Sequence, residues 1–150
     1  MKKFRYRLDP LLRLRQQEEE QKKRAVGSLL TEINRQQNQV LEMAADLARE
    51  GQQLRQQYAQ GTVDLEWIRF YRMYVMHTQQ AMARRTAEIF QIQTSLTAAR
   101  QELTEAARKT KILEKLKEKK KNSYDYQLRR EETRAQDEIG MNTFCRSVKD

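Results

Sequence analysis

The chain has 150 residues, a formal net charge of +9, 34% charged and 38% apolar residues, and a mean hydropathy of −1.00. Its single proline is at position 10, and no glycine or proline stands between Asp64 and Ile139. Little is therefore available to turn the chain into a layered core, and the profile is that of long helices or coiled coils. Cys145 is the only cysteine, which excludes an internal disulfide. The basic start leads into no apolar run, so neither a signal peptide nor a membrane span is expected, and the chain reads as cytoplasmic.

Leu8-Asp9-Pro10 reads as a helix start, with Asp9 as N-cap and Pro10 at the first helical position. Helix one is expected over about 9–58. Its seam passes through Leu12, Gln16, Glu19, Lys23, Val26, Leu30, Ile33, Gln37, Val40, Ala44, Leu47, Gly51, Leu54 and Tyr58, and is apolar mainly from Val26 to Leu54. The pattern breaks at about 59–63, where Gly61 suits a left-handed helix end. Asp64 then serves as the next N-cap, with Val63 packing on Ile68 as a hydrophobic staple.

Helix two is expected over about 64–139. Alternating steps of three and four from Ile68 reach Tyr71, Val75, Thr78, Met82, Arg85, Ile89, Ile92, Leu96, Ala99, Leu103, Ala106, Thr110 and Leu113. Only Thr78, Arg85 and Thr110 on that walk are neither apolar nor aromatic, so the stripe needs a cover. Helix one supplies it in an antiparallel hairpin with layers Leu54/Ile68, Leu47/Val75, Val40/Met82, Ile33/Ile89 and Val26/Leu96. The intervening layers become Gly51/Tyr71, Ala44/Thr78, Gln37/Arg85 and Leu30/Ile92, with Leu12 facing Thr110. The fold class is thus all-α: a long antiparallel two-helix coiled coil (αα-hairpin) in one domain. Gly140 is expected to end helix two, leaving 140–150 as a frayed tail.

Charge is unevenly placed along this hairpin. Residues 1–24 hold nine Lys/Arg against four Asp/Glu, and 109–121 hold seven Lys against two Glu. The middle is balanced. The Lys-rich run reads either as a solvated face with Glu114 and Glu118 pairs or as an electrostatic docking surface for an acidic partner or nucleic acid. Beside the seam, Trp67, Phe70 and Tyr74 form a second stripe. They either close over the turn or bind a partner.

No catalytic constellation emerges. His77 is the only histidine, the four glycines are scattered, and carboxylate pairs such as Glu131-Glu132 suit a solvated helix. The expectation is a non-enzyme with no cofactor and no metal.

Lys3-Phe-Arg-Tyr-Arg-Leu-Asp-Pro-Leu-Leu-Arg-Leu-Arg15 followed by Glu18-Glu-Glu resembles the start of the FliJ family of flagellar type III export proteins. Leu113-Glu-Lys-Leu-Lys-Glu-Lys-Lys120, a following Tyr and Asp137-Glu138 fit the same family, as do Tyr71, Tyr74-Val75 and Ala81-Met82. The resemblance implies a coiled coil similar to the gamma-subunit stalk of rotary ATPases. It implies three partners: the hexameric export ATPase, the cytoplasmic domain of the export gate, and export chaperones, with peripheral association at the inner membrane. Carried over, ATPase contacts fall on Phe4, Leu8, Leu11, Leu12, Leu113, Leu116, Lys115, Lys117, Lys119 and Lys120. Gate contacts fall on Tyr74, Thr78, Ala81 and Arg85, beside Trp67 and Phe70. Thr78 and Arg85 depart from the family pattern, which has a larger apolar residue and a histidine there. A monomer when free, without nucleic acid, is expected. The alternatives are the equivalent stalk of a virulence injectisome and a generic coiled-coil tether.

Overall fold

In the computed structural model, which describes residues 3–62 and 64–147, two helices account for most of the chain: α1, Asp9–Ala59, and α2, Leu65–Ser147. They pack against each other as an all-α helical hairpin.

The turn between them follows from local chemistry. Gly61 has φ 71°, a conformation open to glycine at no steric cost. The Thr62 N–H donates to the Gln57 carbonyl at 3.3 Å and the Gly61 N–H to the Tyr58 carbonyl at 3.2 Å. Those two bonds close α1 with a Schellman motif. Asp64 Oδ1 then accepts the Glu66 N–H at 3.1 Å and caps α2 as expected. The staple assigned to Val63 lies outside the described residues.

The other two helix ends differ from expectation. Asp9 does not cap α1. The Leu8 carbonyl accepts the first helical bond, from the Leu12 N–H at 2.9 Å, and the Asp9 carboxylate turns instead to Lys117 at 2.6 Å and Arg13 at 3.0 Å. Two cations outbid a backbone N–H for that carboxylate. At the far end, α2 runs through Gly140 to Ser147 rather than stopping at the glycine. Gly140 does not take a positive φ, and a single helical glycine weakens a helix without ending it.

The chain divides into two compact units, Gln21–Thr104 and the remainder on either side of it. In Gln21–Thr104, Ile33, Ile89 and Leu96 are buried, and Val26, Leu29, Val40 and Ile92 pack on them. This cluster brings together the residues of the expected layers Ile33/Ile89 and Val26/Leu96. Gly51 also faces Tyr71: a Cβ placed there would sit 2.9 Å from the Tyr71 hydroxyl. Small against large is how this layer closes.

The layer at Arg85 is corrected by one residue. Gln36, 7% exposed, replaces Gln37, which is exposed. Arg85 Nη1 donates to Gln36 Oε1 at 2.8 Å and also to Gln39 Oε1, while Gln36 Nε2 donates to Glu32 Oε1 at 2.9 Å. Likewise Leu29, not the expected Leu30, packs on the core. A seven-residue repeat through Val26, Ile33 and Val40 leaves either neighbour free to face inward. Leu stands at both 29 and 30, and Gln at both 36 and 37, so residue type alone does not choose. Gln16, Lys23 and Tyr58 are also exposed rather than in the seam.

In the other unit, Leu12 and Thr110 are buried, 5% and 3% exposed. The Thr110 hydroxyl lies 3.1 Å from the Ala106 carbonyl and 3.3 Å from the Arg15 carbonyl, so its donor is satisfied without leaving the interface. Beyond Leu128, the α2 residues through Phe144 are exposed.

Candidate functional site

Two surfaces carry the residues singled out by sequence, one in each unit. The first lies on α2 just after the turn. Trp67 stacks on Tyr71, with ring centroids 5.9 Å apart and planes at 10°. Phe70 is 71% exposed, Tyr74 is exposed to a lesser degree, and a cavity of about 270 Å³ opens between Glu50, Trp67, Phe70, Tyr71 and Tyr74. The aromatic stripe is thus partly folded onto the helix and partly presented to solvent.

Thr78 and Ala81 are half-buried and do not line that cavity. Arg85 is held by Gln36 and Gln39 of α1. Of the six residues expected at a gate contact, then, Trp67, Phe70 and Tyr74 line one cavity. Arg85 belongs to the interface between the helices, because the seam claims every position spaced three or four residues along it.

The second surface is basic. It forms where the segment before α1 lies on α2. Side chains in that segment alternate: Phe4 and Tyr6 are half-buried, while Lys3, Arg5 and Arg7 are exposed. Phe4 packs on Tyr124, with centroids 5.5 Å apart and tilted by 50°. Tyr6 Oη donates to the Leu113 carbonyl at 3.2 Å, and Lys117 Nζ sits 5.9 Å from the Tyr6 ring centre.

The ten residues assigned to ATPase contact separate on burial. Leu12 is buried against α2 and is unavailable to a partner. Phe4 and Leu113 are half-buried by the contacts just described. Leu8, Leu11, Leu116, Lys115, Lys119 and Lys120 are exposed. Lys117 is engaged by Asp9. Reading the sequence for helices missed Arg5, Arg7 and Tyr6, because their signal is a two-residue alternation outside any helix.

Lys117 and Arg13 hold the Asp9 carboxyl below its ordinary value of 3.8, the hydrogen bond from Lys117 being the larger cause. A carboxyl lowered in the folded state contributes stability that is present above its unfolded value and lost as pH falls through the folded one. Amide protection of residues 4–13 and 113–124, read relative to the intrinsic exchange rate at each pH, is therefore expected to fall as pH drops below 3.8. In Asp9→Asn that acid-dependent step should vanish. An unchanged acid profile would show that the ion pair does not hold this segment.

Among the described residues, no group of three or more His, Cys, Asp or Glu could hold a metal ion, and no helix is long and apolar enough to cross a membrane. One surface offers apolar and aromatic area, and the other offers cationic area.

The fold defines an all-α protein of two long helices packed as a hairpin. A family model described as "Flagellar FliJ protein" matches residues 4–149, and the chain belongs to that family. Membership makes it a protein associated with flagellar export. No curated protein and no solved structure matches the chain.

Proposed function

We propose that the protein is the non-enzymatic central stalk and regulator of the hexameric export ATPase ring, that it also contacts the cytoplasmic domain of the export gate, and that it escorts empty export chaperones. Family membership supports the setting, and the basic surface around Lys115, Lys119 and Lys120 is the observation that carries the ATPase role. A cationic surface accelerates and orients docking on an acidic ring lumen. The gate contact rests on Phe70 and Tyr74, exposed beside the half-buried Trp67, since aromatic area of this kind concentrates binding energy. The flagellar wording of the family match favours this reading over the virulence injectisome and over a generic tether.

The test is binding to the cognate export ATPase with and without nucleotide, following ATPase rate and hexamer formation. Replacing Lys115, Lys117, Lys119 and Lys120 with Gln should lower affinity about tenfold or more at low salt, with helicity retained. Because Lys117 also anchors Asp9, the triple variant sparing Lys117 separates docking from folding. Equal binding by that triple variant and the unaltered protein at low salt would remove the electrostatic reading.

A further inference from the structure

Lys3, Arg5 and Arg7 are presented in a way that the helical lysines are not. Phe4 and Tyr6 point to α2 and are held there by Tyr124, the Leu113 carbonyl and Lys117. The same alternation leaves the three cations exposed along one edge of a strap outside the helices.

Beside this edge lies an open cavity of about 780 Å³. Its rim carries Lys3, Arg5, Arg7 and Lys120, and Leu8 and Leu116, each 39% exposed, supply apolar wall. We infer that this strap and cavity dock an acidic amphipathic segment of a partner protein. Its carboxylates pair with Lys3, Arg5 and Arg7, and an apolar side chain between them enters the cavity. Guanidinium groups suit this role because they bind carboxylates through two parallel hydrogen bonds.

The apolar wall and the orientation of the aromatic rings favour a protein over a nucleic acid. Single strands are held by stacking on presented rings. Here Phe4 is packed on Tyr124, and the Tyr6 ring is covered by Lys117. The inference rests on the docking reading above only in taking the partner to be a protein.

The probe is a labelled helical peptide with Glu at every fourth position and Leu between, titrated by fluorescence anisotropy with the full chain. Arg5→Gln/Arg7→Gln should weaken binding about tenfold or more. Arg69→Gln/Arg72→Gln removes the same charge from exposed arginines of the Gln21–Thr104 unit, and should change binding less than about twofold. Circular dichroism checks that both variants keep their helicity.

Equal losses in the two variants would reduce the effect to net charge and overturn the inference. So would equal binding of a peptide with Gln in place of Glu, or tighter binding of a single-stranded oligonucleotide or of phosphatidylglycerol vesicles. ATPase binding is read in parallel. If the peptide fails while the ATPase still binds, this inference falls and the stalk reading stands. If neither binds, both fall.

Discussion

Ile89→Ala is expected to lower the stability of the hairpin by about 2–4 kcal/mol, read by urea unfolding followed at a helical signal. Ile89 is 8% exposed and meets Ile33 and Leu96 in a cluster joined by Val26, Leu29, Val40 and Ile92. A two-helix interface has no second layer. Only Leu12, Ile33, Ile89 and Leu96 are buried apolar residues among those described, so each carries an unusual share of the apolar driving force. Its neighbour provides the control. Phe90 is 71% exposed, and Phe90→Ala should stay within about 0.5 kcal/mol. If the larger residue proved the costlier, the observed face of α2 would be wrong.

Arg85→Ala is expected to cost about 1–3 kcal/mol, because it leaves the buried amide of Gln36 without its donor. The same variant bears on the proposed gate contact. Loss of gate binding in Arg85→Ala would report a loosened interface as readily as a lost contact, whereas Phe70→Ala tests the exposed patch directly. Pairing Arg85→Met with Gln36→Leu should recover stability to within about 1 kcal/mol of the unaltered protein, since an apolar pair of similar size needs no donor. A double variant as unstable as Arg85→Ala would show that the cost did not come from the orphaned Gln36 amide.

These two positions show how far the residues alone reach. Ile89 was legible because its neighbours on the seam, Met82, Ile92 and Leu96, leave one face no alternative. Arg85 was legible as a polar position in the seam, but its partner was not. Gln36 and Gln37 are chemically identical, and choosing between them takes the rotation of α1 about its own axis. The basic surface shows the same divide. Its lysines were visible as a charge run. Arg5 and Arg7 acquire their setting only when Phe4 meets Tyr124 and Tyr6 meets the Leu113 carbonyl, partners more than a hundred residues away in the chain.

By itself, the sequence determined the helical hairpin, the position of its turn at Gly61 and Asp64, the main apolar layers and the resemblance to a flagellar export family. Each of these depends on local propensity or on a repeat that survives any small rotation of a helix. Only the tertiary structure decided which neighbour faces inward at 29/30 and 36/37, that Asp9 pairs with Lys117 instead of capping α1, that Leu12 is sealed from partners, and that Lys3, Arg5 and Arg7 share one exposed edge. Those outcomes depend on competition between groups brought together from distant parts of the chain, and a one-dimensional pattern contains no distances with which to settle it.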